Sequence, residues 1–326
     1  MTKYVRRLQR IGNSILVSLP KEWVDANNLE KGGQVEIEAG QDSVSISASR
    51  ERRATKELVI TYPLPEDENI VADITGAYLL GYDVILINSK STLPARDREE
   101  IRDSMRRLVG MEIVEEDSNR ISMQFLLDAT TLNPGRILKR MSSISLGMYD
   151  DVVRGLLSDD KSNLQTISKR DVEVNRQYFL LVRLIRSTLI DQRLASAFNL
   201  ENIDILDYRV AANLLENAGD TIVELAAYLY SSHLSRHHAK KISELVRNFG
   251  SLAEKSIDAF TTPDRRLAIE AISMHRIYQE KLGSFRTDLV SQKQIPIAVV
   301  DLVYMFERTA KSWADVVDLV KPIYNG

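Results

Sequence analysis

The acidic side chains of the C-terminal half are the first candidates for chemistry. Glu216 and Asp220 stand four residues apart and therefore share one helix face. Asp171 and Asn175 repeat that spacing earlier in the chain. Two oxygen-bearing pairs on adjacent antiparallel helices can surround a cation. With no cysteine and only His233, His237, His238 and His275, such a site is oxygen-dominated. That favours a divalent hard ion, or iron or manganese, over structural zinc. Asp171 and Asn175 continue the stripe Tyr178, Val182, Ile185 and Leu189, which places them inward or at its edge. A carboxylate there needs a partner, because burying an unpaired charge is costly. Glu216 and Asp220 lie well round from the stripe Leu215, Ala218, Ile222, Leu225 and Leu229. Spacing alone therefore leaves a solvated acidic flank as the competing reading.

The elements that carry these residues read as long helices from Pro134 to the end. Breaks fall near Asp159–Ser162, Ala197–Asn202, Ser232–Arg236, Thr261–Pro263 and Ser291–Pro296, leaving six helices. An internal repeat links them. VEVNRQY at Val172–Tyr178 recurs as ISMHRIY at Ile272–Tyr278, and LENAGDTIVEL at Leu215–Leu225 recurs as FERTAKSWADV at Phe306–Val316. The two shifts differ by nine residues, which the longer connection after Asp191 absorbs. The economical reading is two three-helix units in tandem, 134–233 and 234–326. Tyr178, Tyr278 and Trp313 fall at helical spacing among aliphatics and read as core. His237 and His238 are adjacent, so they point to different faces and mark a helix start or an exposed patch.

The N-terminus has a different texture and charge. Lys3, Arg6, Arg7, Arg10 and Lys21 precede the first acid, Glu22. The head thus carries +5 against an overall −3, and the rest of the chain −8. A basic head on an acidic body fits contact with a polyanion, a solubilising terminus being the plainer alternative. Tyr4–Gln9, Ser14–Leu19, Val35–Glu38 and Val44–Ala48 read as short strands punctuated by Gly12-Asn13, Gly32-Gly33 and Gly40. Pro20 opens a short helix through Trp23–Asn27, and Arg50–Arg53 reads as a charged linker.

Between them, residues 55–132 alternate strand and helix. Strands are expected at Leu58–Tyr62, Asp83–Asn88, Met111–Glu116 and Arg120–Leu127, with helices from Asp67 to Leu80 and Ala95 to Val109. This βαβαββ order points to a small α/β sandwich of ferredoxin-like or related type. It contains no Gly-rich phosphate loop and no nucleophile elbow.

The whole is a multidomain, mainly α chain of 326 residues. The absence of cysteine excludes disulfides, zinc knuckles, iron–sulfur clusters and thiol catalysis, and fits a reducing cytosol. No stretch reaches the ~18 apolar residues of a spanning helix, and the start lacks an apolar signal core. A cytoplasmic protein with no membrane span is the expectation.

Two segments resemble known families. Arg10-Ile-Gly-Asn-Ser-Ile-Leu-Val-Ser-Leu-Pro-Lys-Glu-Trp23, followed by Leu29-Glu-Lys-Gly32 and Val35–Glu38, resembles the swapped-hairpin domain of AbrB and MazE proteins. The resemblance covers residues 1–50 and implies a homodimer, or a higher even oligomer, whose interleaved strands make one β-barrel. Each chain supplies half of it and presents a basic face to double-stranded DNA. Lys3, Arg6, Arg7, Arg10, Asn13 and Lys21 are the candidates for that face. From about Met141 to Ile323, LLSDDKSNLQTISKRDVEVNRQYFLLVR and LDYRVAANLLENAGDTIVE resemble the PhoU family of phosphate-uptake regulators. That family implies tandem three-helix bundles with E/D-x-x-x-D motifs holding metal on the bundle surface. Asp171, Asn175, Glu216 and Asp220 are the matching candidates in the first bundle. The second bundle departs from the pattern: Glu307 is kept, Lys311 stands at the aspartate position, and His275 replaces the acid or asparagine.

Together the resemblances imply a non-enzymatic, phosphate-responsive regulator that binds DNA through its head, with the phosphate ABC transporter or a sensor kinase as further partners. The alternative is a transport accessory protein whose head only dimerises. A metal-dependent hydrolase using the Glu216 region, and an antitoxin, are weaker rivals.

Overall fold

The computed structural model describes residues 4–39, 44–48 and 55–320. Lys3, Gly40 and the linker Arg50–Arg53 lie outside them. Two compact units result, residues 1–55 and 56–326.

The described residues of the first unit form two small hairpins and one helix. β1 (Gln9–Ile11) pairs antiparallel with β2 (Ser14–Leu16) through a turn at Gly12, whose φ of +61° a glycine adopts without cost. Pro20 precedes α1 (Lys21–Ala26), and β3 (Val35–Ala39) pairs with β4 (Val44–Ala48). The strand expected at Tyr4–Gln9 lies instead at Gln9–Ile11, sharing only Gln9 with the expectation, and the one expected at Ser14–Leu19 ends at Leu16. Residues 4–8 and 17–19 carry the right side chains but have no neighbouring strand among the described residues.

The second unit begins with a four-stranded sheet. β5 (Glu57–Tyr62), α2 (Ile70–Leu79), β6 (Val84–Ser89), α3 (Ala95–Met105), β7 (Met111–Glu116) and β8 (Arg120–Phe125) follow in order. The sheet runs β5-β6-β8-β7, with β5 and β6 parallel and β8 antiparallel to both neighbours. The small α/β sandwich is therefore of the related kind, since the ferredoxin-like order is βαββαβ. The β7–β8 hairpin inserts its second strand beside β6, because a tight hairpin leaves β8 only the strand next to β7. Ile60, Ile85, Ile87, Ile121 and Met123 from the sheet pack against Ile74, Tyr78 and Ile101 of the helices. Asn69 caps α2, its Oδ1 accepting from the amides of Val71 and Ala72, which sets the helix start later than the predicted Asp67.

The remainder is helical. α4 (Pro134–Leu157), α5 (Ile167–Thr188) and α7 (Asn202–Ser231) form one three-helix bundle, with short α6 (Gln192–Phe198) in the connection after Asp191. α8 (Arg236–Val246), α9 (Phe249–Thr261), α10 (Arg265–Val290) and α11 (Ile297–Val317) form the second. The helix expected as one piece before Thr261 breaks at Arg247-Asn248, where asparagine and the nearby Gly250 favour turning over propagation.

The bundles share one core. α7 lies against α11 and α4 against α8 and α9. Tyr149 packs on Phe249 and Phe306, with centroids 4.2 and 5.5 Å away, and Phe249 stands edge-on to Trp313 at 5.1 Å. Burying aromatics of this size is worth about 1.5–3 kcal/mol each. Their polar atoms are matched: Trp313 Nε1 donates to Ser142 Oγ at 2.9 Å, and the Tyr149 and Tyr278 hydroxyls meet at 3.0 Å. Tyr278 and Trp313 are core as predicted, whereas Tyr178 is half-buried, with Arg209 stacked 5.3 Å from its ring centroid. Leu189, read as part of the inward stripe, is exposed because α5 ends just before it.

Candidate functional site

α5 and α7 pack side by side and bring the four sequence-selected acidic-site residues to one place. Asp171 is buried on α5, Asn175 and Glu216 are half-buried, and Asp220 is exposed. Gly219 lets the helices close: a Cβ there would stand 2.7 Å from Asp171 Oδ1. Asn175 Nδ2 donates to Asp171 Oδ2 at 2.8 Å. Burial, then the neighbouring Asp220, pushes the Asp171 carboxyl up to about 6 against the hydrogen bond from Asn175. Burial also raises Glu216, with Asp220 and Asp171 adding to it and Arg209 opposing.

Nearby acids differ. Glu173 is held by Arg140 at 2.9 Å and Arg176 at 3.0 Å, and Asp151 by Arg154 and Arg170. Among the described residues neither Asp171, Glu216 nor Asp220 has an ion-pair partner within 4.0 Å. The site is thus a local excess of negative charge built from oxygen donors. In chemistry it suits a hard cation. In geometry, no three histidine or carboxylate side chains among the described residues come together in a metal-holding group, Asp171 being turned to Asn175.

The repeat provides a contrast within the same chain. On α11, Lys311 Nζ donates to Asp315 at 2.6 Å, and Glu307 pairs with Arg286 from α10. Glu307 thus has an ion-pair partner, whereas among the described residues its counterpart Glu216, and Asp220, have none within 4.0 Å. His275, at the Asn175 position, is pushed down chiefly by burial, and its Nε2 is buried without a partner.

In the head, Arg6, Arg7, Arg10, Asn13 and Lys21 are all exposed. Arg10 sits on β1 opposite Ile15, its Nε donating to Gly12 O at 3.3 Å; Arg6 lies 5.3 Å from the Tyr4 ring centroid. The apolar residues of this unit are also uncovered: Val5 is 84% exposed, Leu8 73% and Ile15 68%. No residue between 4 and 48 whose exposure is described is buried.

Sequence reading missed one residue. Arg183 on α5 is 3% exposed, yet its Nη1 donates to Tyr78 O and Tyr82 O, both at 2.8 Å, and its guanidinium lies 3.9 Å from the Phe125 ring centroid. Asp83 completes the arrangement at 3.4 Å. The signal was there: a lone arginine inside the apolar run Leu180–Ile185 needs a polar destination.

These observations meet two known families. Residues 138–229, from α4 to near the end of α7, match the family model of the PhoU domain. Residues 8–49 match the model described as "Antidote-toxin recognition MazE, bacterial antitoxin". Among solved structures, the chain is similar to the crystal structure of PhoU from Pseudomonas aeruginosa, at 15% identity and a TM-score of 0.38, covering 57% of this chain and 92% of that one. No curated protein matches the chain. Among the described residues, no helix is long and apolar enough to cross a membrane.

Proposed function

We propose that the chain is a phosphate-responsive regulator rather than an enzyme, cytoplasmic, dimeric through its head and bound to double-stranded DNA there. The observation that carries this is the pairing in one chain of a PhoU-domain match with a MazE-model match. The head supports it physically. An exposed apolar surface of this extent on so small a unit calls for a partner, and a second copy supplies strands for residues 4–8 and 17–19. Arg6, Arg7, Arg10 and Lys21, with Lys3 and Asn13, then provide the charge for a phosphate backbone. The body relays phosphate status, with a phosphate transporter or a sensor kinase as its protein partner. A divalent or iron-type ion held by Glu216, Asp220, Asp171 and Asn175 belongs to this reading, since bound cation would relieve the unpaired charge there.

The exposed apolar head also suits the second reading, an accessory protein whose head dimerises without DNA. DNA titration at several salt concentrations separates them. Each arginine that neutralises a phosphate adds about 0.9 to the magnitude of the salt slope. Replacing Arg6, Arg7 and Arg10 by alanine should weaken binding to every sequence and flatten the slope by about two to three units per subunit. A wild-type chain that binds no DNA leaves the second reading.

A further inference from the structure

α8 presents an unusual surface on an acidic body. Its inward side, Ala239, Ile242, Ser243 and Val246, is buried, while Arg236, Lys240, Lys241 and the following Arg247 are exposed with Glu244 as the only acid among them. None of these four cations has an ion-pair partner among the described residues. Elsewhere on the same bundles arginines find carboxylates, as Arg140, Arg286 and Arg308 do. The chain beyond residue 21 carries −8, so this concentration of unopposed positive charge runs against its surroundings.

Beside α8 the surface is concave and apolar. A groove of about 150 Å³ is lined by Leu245, Asn248, Leu252, Met274, Ile277, Tyr278 and Lys281. Leu252 and Tyr278 are buried, Ile277 is 45% exposed, and Lys281 is exposed on α10. Lys241 lies one turn before Leu245, so basic groups stand on two of the three helices, α8 and α10, that line the groove with α9.

We propose that this groove docks an acidic, amphipathic helix of a partner protein. One or two apolar side chains of that helix enter between α8 and α10, and its carboxylates meet Lys241 and Lys281, while Arg236, Lys240 and Arg247 lie on the far flank of α8 and add only long-range attraction. Anchors at i, i+3, i+4 and i+7 are the usual way a helix reads such a groove. Charge complementarity sets the orientation and speeds the encounter. A phosphate backbone or a lipid surface would use the charge and leave the concavity unfilled, which is why a protein helix is the better fit. The docking site does not depend on what the head binds.

The test uses the full chain and a fluorescein-labelled helical peptide with leucine at i, i+3, i+4 and i+7 and glutamate elsewhere. A mirror peptide carries lysine in place of glutamate. Anisotropy should show the acidic peptide binding and the basic one not. Lys241→Glu with Lys281→Glu should weaken the acidic peptide at least tenfold and admit the basic peptide. Ile277→Asn should weaken it as much, and Arg6→Ala with Arg7→Ala and Arg10→Ala should leave it unchanged. Circular dichroism checks that each variant is folded, and the gain of the basic peptide is a result that misfolding cannot give. No binding of the acidic peptide to the wild-type chain would overturn the proposal. So would binding indifferent to the charge reversals, or reversals that abolish binding of duplex DNA or phosphatidylglycerol vesicles but not of the peptide.

Discussion

Arg183 of α5 donates to the backbone carbonyl of Tyr82, 2.8 Å away and 101 residues earlier in the chain. The same guanidinium nitrogen serves Tyr78 O, so one buried cation closes the end of α2 onto the first helical bundle. Gly81, with φ of +77°, brings this turn close: a Cβ there would stand 2.9 Å from Ser187 Oγ on α5. The α/β domain is thereby fastened to the helix that also carries Asp171.

Removing this guanidinium takes a charged donor from the carbonyls of Tyr78 and Tyr82 and from Asp83, of which Tyr78 O keeps the Gly81 amide and Asp83 keeps the Lys56 amide. Arg183→Ala should therefore destabilise the chain by about 1.5–3 kcal/mol, the range for hydrogen bonds made by a charged donor. Arg183→Lys should recover little, because an ammonium cannot reproduce the planar fork. Urea unfolding checks this, and a loss below about 1 kcal/mol for Arg183→Ala would mean that the contact is incidental.

The Asp171 carboxyl gives a pH signature with a defined sign. Its folded-state value of about 6 exceeds that of an ordinary aspartate, so the folded chain holds this proton more tightly than the unfolded chain does. The carboxyl costs nothing below about pH 4, costs progressively more as pH rises to about 6, and its full cost persists above that. Asp171→Asn should stabilise the metal-free chain by about 2 kcal/mol at pH 7.5, and the gain should vanish near pH 4. Equal gains at both values would contradict the burial argument.

The repeat turns cation binding into a comparison within one molecule. Lys311 and Arg286 already neutralise the acids of the second bundle, and an ion there would meet like charge. Elemental analysis of purified protein should find metal that Asp220→Ala removes and Glu307→Ala leaves. Equal loss from both variants would make the second bundle competent, and metal-free wild-type protein would leave only a solvated acidic flank.

The head should not exist as a folded monomer at working concentrations. Sedimentation of the wild-type chain should give an even oligomer at micromolar concentration. Ile15→Glu with Ile37→Glu, both exposed within one chain, should shift it to monomer while the helical signal of the body is retained. A wild-type monomer would remove the need for a second copy.

Much of this architecture was legible because helices announce themselves by period. The stripe through Ala218, Ile222 and Leu225 is buried as written, and the LENAGDTIVEL and FERTAKSWADV segments occupy α7 and α11. β4 and β7 have the expected bounds, set by Asp117-Ser-Asn119 and the alternation within each strand. Less legible was anything decided by a distant partner. The first N-terminal strand begins later and the second ends earlier than expected, because alternation gives a strand but not its neighbour. The destination of Arg183 depends on a carbonyl that only the folded chain brings close. At the acidic site, spacing placed Glu216 and Asp220 on a flank correctly. The close approach of Asp171 depended on Gly219 as a contact residue, which the spacing of acids does not reveal.

The central claim is that this chain acts on DNA in response to phosphate. Mapping its occupancy across the genome, in cells grown at high and at low phosphate, tests that most directly. The account predicts peaks at promoters of phosphate-transport genes whose height changes between the two conditions and which disappear when Arg6, Arg7 and Arg10 are replaced by alanine. Occupancy nowhere above background under either condition, from a chain that is expressed and dimeric, would contradict it.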